Sequence, residues 1–483
     1  RWRELASRVR RLKGSGVLFR GGGSRSRAEK SSRAATEKDS RPLSLDVLAA
    51  ARAVAADGDR RVLLPTDSAR ESKDPRTLKI GLFGNIANNA YIFVKCLRRQ
   101  GFDAELVVED GWFDAFLLNR PFWEDVEAEC SDYEEGLTHE GRWTPPECVR
   151  RVAYDAALHA RYQGRYSAIP EVQQLYRETF GVELPDDRAL LLAQFMGHWP
   201  YLQAMRQYDV IQFSGASISM APFCPRPYVV FPTGGDLFIS PFEETAPGLL
   251  FRAAYRNAAG IAVCEVNYPE YLDRVAPGQP RYFVPMMVDT ETYCPGEEPE
   301  IRSRWQDAVG GEHFALGVCR QSWQWKGNDR LIRAFARFQE RPEGNSWRLV
   351  LMGWGPDLEK TRQLIRQLGL ETKVVWERLC SKPLLRMRQR AADLVADQFV
   401  MAGYGTSVLE SMAAGKPIVM AAADPAAGRH FIEPPPFVGA ASEDEILAAL
   451  CRMSDPAARK AQGEKSLAWV RNQHGFDRVA EDY

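Results

Sequence analysis

Residues 403–419 read Gly403-Tyr404-Gly405-Thr406-Ser407-Val408-Leu409-Glu410-Ser411-Met412-Ala413-Ala414-Gly415-Lys416-Pro417-Ile418-Val419. The pattern is a glycine-rich turn, a short helix, a glycine stop and a buried strand. Val408, Leu409, Met412 and Ala413 recur at helical spacing and form one apolar face. Gly415 suits the left-handed position after a helix, and Pro417 prevents the helix from continuing. The unpaired N–H groups at the helix start form an anion site that Gly405 lets a phosphate approach. Glu410 lies off the apolar face, one turn in, where a carboxylate binds hydroxyls. Together these residues suit a diphosphate on the helix end and a ribose on Glu410.

The same strand–helix alternation extends in both directions. A strand at Leu78–Phe83, a loop through Gly84-Asn85-Ile86-Ala87-Asn88-Asn89, a helix at 91–100 and a strand at 104–108 open a doubly wound parallel sheet. Residues 111–205 mix aromatics with acids and read as a mostly helical substrate region. Strands at 210–213, 228–231, 260–264 and 282–285 complete the first series. A second series has strands at 314–318, 348–352, 373–376, 394–396 and 417–420, with helices at 329–339, 357–368 and 384–390 between them. The expected fold class is α/β, with two Rossmann-like doubly wound domains facing across a cleft and a disordered basic N-terminal extension. The expected boundaries are 1–75 for the extension, 76–290 for the first domain, 291–467 for the second, and 468–483 for a C-terminal helix that crosses back. A helix over 468–479 is the crossing element.

The chain has 483 residues, 45% hydrophobic and 26% charged, an ordinary globular composition. The net charge of -1 hides an uneven spread. Residues 1–41 hold 13 Lys/Arg against 4 Asp/Glu, so a basic tail precedes an acidic body. Trp2, Leu5, Val9 and Leu12 at helical spacing among arginines describe either a solvated tail or a basic helix on an anionic membrane surface. Residues 21–40 are rich in Gly, Ser, Arg and Lys and read as a disordered linker, and no aromatics interleave with their arginines, which disfavours a nucleic-acid partner. Nine scattered cysteines without paired spacing indicate reduced thiols. With no apolar run able to span a bilayer, the expected location is cytoplasmic, with peripheral contact on the inner membrane face as an option.

Six local runs, in order along the chain, resemble GT-B glycosyltransferases, and family 4 in particular. They are Gly84-Asn85-Ile86, Pro232-Thr233-Gly234-Gly235-Asp236, Val284-Pro285-Met286-Met287-Val288-Asp289 through Tyr293, Lys326-Gly327, Met352-Gly353-Trp354-Gly355-Pro356, and the 403–419 stretch. The resemblance implies transfer of a sugar from a nucleotide-sugar donor, with retention of configuration and without metal or other cofactor. It implies Arg320, Lys326 and Glu410 as catalytic residues. Gly353, Gly355, Gln398, Gly403, Tyr404, Gly405, Thr406 and Ser407 would bind the donor. Gly84, Asn85, Asn88, Asn89 and Asp236 would form the first loop and acceptor side. The acceptor would be a glycan, a lipid-linked sugar or a small molecule.

Two positions depart from the family. Its arginine five residues before the lysine is Gln321 here, with Arg320 one place earlier. Its first glutamate, eight positions before Glu410, is Ala402. Ala402 keeps alternatives open: a catalytically lapsed nucleotide-sugar-binding subunit, or an epimerase or hydrolase of the same fold. Individual residues also have plainer readings. Glu410 reads alternatively as a solvent-facing helix residue, Arg320 as a surface charge, Gln398 as a loop-closing side chain and Asp236 as a turn stabiliser. Asp57-Gly58-Asp59 is a weak metal triplet in the leading segment, and the six histidines lack zinc-ligand spacing. No complete dinucleotide-binding loop, phosphate-loop lysine or nucleophile elbow occurs.

Overall fold

The structure, a computed structural model, describes residues 43–56, 75–111, 114–264, 268–400, 403–421 and 433–482. The extension before residue 43, the Asp57-Gly58-Asp59 triplet and Ala402 lie outside the described residues.

Fifteen strands are described: β1 (Lys79–Phe83), β2 (Asp103–Glu109), β3 (Glu129–Cys130), β4 (Val149–Val152), β5 (Val210–Ser214), β6 (Tyr228–Phe231), β7 (Gly260–Val263), β8 (Arg281–Phe283), β9 (His313–Gly317), β10 (Trp347–Met352), β11 (Val374–Glu377), β12 (Leu379–Cys380), β13 (Leu394–Ala396), β14 (Ile418–Met420) and β15 (Val438–Gly439). One sheet has the order β4-β2-β1-β5-β6-β7-β8 and a second the order β11-β10-β9-β13-β14-β15. All pairs in both are parallel. The strands read as continuous apolar runs because helices cover both faces of each sheet. Helix Asn328–Gln339 illustrates the covering layer: it buries Leu331, Ile332, Phe335 and Phe338 on one face.

Three differences from the sequence reading have physical causes. First, Leu43–Ala56, placed in the extension, is a helix of the first domain. Ala50, Ala51, Val54 and Ala55 are buried in the core, and Arg256 Nη1 donates to the Ala55 carbonyl at 2.8 Å. An alanine face carries too weak a hydropathy contrast to stand out against a basic flank. Second, β4 was not expected. It is an edge strand whose Arg150 and Arg151 interrupt the apolar run; Arg151 pairs with Asp110 at 2.8 Å. Third, the crossing helix is two helices, Pro456–His474 and Phe476–Asp482, broken at Gly475. There the chain turns extended and bridges Val288 in parallel. The second piece packs on the first domain, where Gln100 Nε2 donates to Asp477 Oδ1 at 2.6 Å.

The domains are tied at a second place. Leu379 and Cys380 of β12 pair antiparallel with Cys130 and Glu129 of β3. Leu117, Phe122, Trp123, Ala128, Cys130 and Leu379 form a small core of their own across this junction. Buried Arg388 of the second domain bonds both Glu377 Oε2 at 2.6 Å and Glu129 of the first. Among the described residues no helix is long and apolar enough to cross a membrane.

Candidate functional site

In parallel α/β sheets the ligand side is the carboxyl edge of the strands. The two sheets turn these edges toward one another. Phe116, which follows β2, and Tyr133, which follows β3, meet edge to face with centroids 4.5 Å apart, and Tyr133 meets Trp354, which follows β10, at 5.8 Å. The segments after β9 and β13 supply the basic and amide side chains of the second domain. Lys326 Nζ donates to Gln398 Oε1 at 2.6 Å, and the Phe399 N–H donates to the Lys326 carbonyl at 2.8 Å. Gly327, with φ +67, sits close against Phe399 and Val400 and turns the chain there. Gln398 thus holds the ammonium in place while closing the loop. Trp325, beside it, is 46% exposed.

Arg320 lies near the Tyr133 ring, whose phenol is pushed up chiefly by burial and drawn back by the Arg320 charge. Arg320 Nε is buried without a hydrogen-bond partner among the described residues. Gln321, at the family's arginine position, is committed elsewhere. It is fully buried, its Nε2 donates to the Met352 carbonyl at 3.0 Å, and its own N–H donates to the Trp354 carbonyl at 2.8 Å. Gly355 is required by this contact: at φ +125, a Cβ there would lie 2.4 Å from the Gln321 carbonyl oxygen. A Cβ on Gly353 would lie 3.1 Å from the Glu377 carbonyl oxygen. Both glycines therefore serve close backbone packing.

The 403–419 stretch folds as a turn, a helix at Thr406–Ala413 and β14. Gly405 is the cap residue, brings no side-chain acceptor to the first turn, and has open space where a Cβ would point. Gly403 precedes it in the same turn. Tyr404 faces the other way, 5.5 Å from Phe437 and 5.8 Å from His474, as part of the aromatic packing that holds the crossing helix. Ser407 accepts through its carbonyl from Gln389 Nε2 at 3.0 Å.

Glu410 is 1% exposed, so the solvent-facing alternative is wrong: the helix turns this carboxylate inward. It pairs with Lys382, whose Nζ also lies 3.4 Å from Thr406 Oγ1. Burial pulls the Lys382 ammonium down, but Glu410 and then Glu124 outweigh it and the net shift is upward. Glu124 belongs to the first domain and accepts from the Tyr293 hydroxyl at 3.0 Å. Burial pushes its carboxyl up, Lys382 opposes and Glu410 adds. Two carboxylates from different domains thus share one lysine. Lys382, Glu124 and Tyr133 were not expected as site residues: no local motif links positions so far apart in the chain.

The first loop is self-contained. A Cβ on Gly84, at φ +84, would lie 2.2 Å from the Ser214 carbonyl oxygen. Asn85 is fully buried, and its Nδ2 donates to Asn88 Oδ1 and to the Asn119 carbonyl, both at 2.7 Å. Its Oδ1 accepts from the Tyr91 N–H and its own N–H donates to Asp114 Oδ1, each at 3.0 Å. Asn85 therefore shapes the loop, and all its N–H donors are committed within it. Asn88 is left-handed at φ 61, and its buried Nδ2 lacks a partner among the described residues. Asn89 begins the following helix. Asp236 accepts from the N–H groups of Thr233, Gly234 and Gly215 and from the Thr233 hydroxyl, which is the turn-stabilising role.

Comparison with known proteins joins this geometry to a family. The model of the family described as "Glycosyl transferases group 1" matches residues 303–430. This match falls within the second domain and covers less than half of the chain. An uncharacterised glycosyltransferase of Methanocaldococcus jannaschii is 34% identical over 132 residues, 26% of this chain and 33% of the relative. The GDP-mannose-dependent alpha-(1-6)-phosphatidylinositol monomannoside mannosyltransferase of Mycolicibacterium smegmatis is 30% identical over 144 residues, 28% of this chain and 37% of the relative. The chain thus spans about a third of the length of these curated relatives. A solved structure of Anabaena HepE in complex with UDP-glucose superposes with a TM-score of 0.56 at 17% identity, covering 84% of this chain and 97% of that one. Sucrose-phosphate synthase from Thermosynechococcus elongatus superposes at 0.54 and 14% identity, covering 84% and 96%. These likenesses show the fold alone, the GT-B arrangement of two Rossmann-like domains.

Proposed function

We propose that this protein is a glycosyltransferase that moves a sugar from a nucleotide-sugar donor to a hydroxyl-bearing acceptor. The observation that carries the reading is the arrangement at the carboxyl edge of the second sheet. There Lys326 and Arg320 both follow β9, and the Lys326 ammonium is steered by Gln398, which follows β13 as does the Thr406 helix with its uncapped start. These groups suit a diphosphate that gains negative charge as the glycosidic bond breaks. Fixed positive groups stabilise that charge more in the transition state than in the ground state. Exposed helix N–H groups add their partial charge without reorganising. Glu410 would bind the ribose, and the first domain would present the acceptor beneath Phe116 and Tyr133. Transfer would proceed with retention and need no metal, since two cations and a helix terminus supply the charge. The relatives' names do not agree on one acceptor, and a glycan, a lipid-linked sugar or a small molecule would each offer the hydroxyl.

Ala402 favours a second reading, a sugar-nucleotide-binding subunit without turnover. One experiment separates them: nucleotide release is followed with a panel of nucleotide sugars, with and without acceptor alcohols. Release that depends on acceptor supports transfer. Thermal stabilisation by the donor without release supports the binding subunit. Release without acceptor identifies a hydrolase, and no response to any nucleotide sugar overturns both readings.

A further inference from the structure

A cavity of about 300 Å³ opens between the domains beside the hinge, lined among others by Glu124, Met287, Tyr293, Pro383, Arg386 and Glu410. Its volume is at the lower end of the range of about 300–1,000 Å³ seen for small-molecule sites. Two observations mark it as built for a hydrogen-bond donor. Glu410 Oε1 is taken by Lys382, but Glu410 Oε2 is buried without a partner among the described residues. Glu124 Oε1 accepts from Tyr293, but Glu124 Oε2 is likewise buried and unpartnered. Orphaned buried acceptors are costly, and two of them on residues that line one cavity call for an occupant that donates.

We propose that the ribose of the donor sits between the two domains, one of its vicinal hydroxyls donating to Glu410 and the other to Glu124. The proposal rests on the reading of Glu410 as the ribose partner, and it adds a binding residue from the opposite domain. A neutral diol suits the site better than a cation. Lys382 already places one positive charge between the carboxylates, and a second would be repelled by it. Among the described residues no cluster has a metal's ligand set. Tyr293 fixes the rotamer of Glu124 from the hinge side, so the diol would be gripped only when the domains are in this relative position. Donor recognition and domain position are then one event.

The test compares ribose hydroxyls one at a time. UDP, GDP and ADP are titrated into the full chain by calorimetry, and the tightest is replaced by its 2′-deoxy and 3′-deoxy forms. The wild type is expected to lose about tenfold in affinity for each missing hydroxyl. Glu124→Gln preserves shape: Tyr293 holds the amide oxygen, and the amide nitrogen, which cannot accept, takes the place of the orphaned oxygen. In that variant one deoxy form binds as tightly as its parent while the other keeps its tenfold penalty; in Glu410→Gln the penalties exchange. Unchanged penalties for both deoxy forms in Glu124→Gln overturn the inference while leaving the transferase reading intact. So does an equal loss of affinity for ribo and deoxy forms, because Glu124 would then be only a tie between domains. Absence of binding by all three diphosphates ends both.

Discussion

Ala128 and Ser381, 253 residues apart, exchange two hydrogen bonds across the domain boundary. The Ala128 N–H donates to Ser381 Oγ at 3.0 Å and the Ser381 N–H donates to the Ala128 carbonyl at 2.9 Å. With β3–β12 pairing beside them, a strap from the first domain is fastened over the start of helix Lys382–Ala391. The hinge at Val288 and Gly475 holds the opposite side. Among the described residues the strap and the hinge both tie the domains through backbone hydrogen bonds, and motion between the domains must act on them.

Ser381→Ala removes the side-chain acceptor of the Ala128 N–H. A stability loss of about 1–2 kcal/mol is expected from an amide left without its partner. Urea titration measures it, and hydrogen exchange at the Ala128 amide should accelerate. Unchanged exchange would show that the strap does not open by this bond.

Gly84→Ala adds a methyl to a left-handed residue 2.2 Å from the Ser214 carbonyl oxygen. Backbone strain and displacement together should cost about 3 kcal/mol. A melting temperature equal to the wild type's would contradict the packing described between β1 and β5.

Lys326→Ala should leave the melting temperature nearly unchanged, since only one half-buried bond to Gln398 is lost. On the proposed function, donor turnover should fall by about 10²–10³-fold. Gln398→Ala should fall less, because the ammonium remains but is no longer steered. Turnover unaffected by both substitutions would remove this pair from the site.

The Glu124 carboxyl, raised from 4.5 to about 7, gives a pH dependence of definite sign. The folded protein holds this proton more tightly than the unfolded chain. The stabilisation is complete below pH ~4.5 and is lost as pH rises through about 7. Lys382, Glu410, Tyr293 and Lys95 are the charged and titratable groups around it. Glu124→Gln cannot lose a proton there, so its stability should gain on the wild type's as pH rises from 4.5 to 8. Parallel stability profiles for the two proteins would refute this.

Much of the fold was legible because it rests on local periodicity. Apolar runs marked β5, β6, β10 and β13, and the 331, 332, 335, 338 spacing marked the helix after Lys326. The Gly403–Val419 stretch could be read as turn, helix and strand from its own residues. Lys326 and Gln398 were each expected at the donor side, but the hydrogen bond between them was not. What failed were weak local signals: an alanine-faced helix at Leu43–Ala56, and a two-arginine edge strand at β4.

The sequence by itself determined most of the strands and helices, the two-domain order and the glycine turn before the Thr406 helix, because each depends on side chains within a few positions of one another. Only the tertiary structure decided what those residues are free to do. It turned Glu410 inward onto Lys382, committed Asn85 and Asp236 to holding their own loops, and brought Glu124 to the same lysine from the other domain. Burial and hydrogen-bond satisfaction depend on neighbours hundreds of residues away, and a chain read in order does not contain their distances.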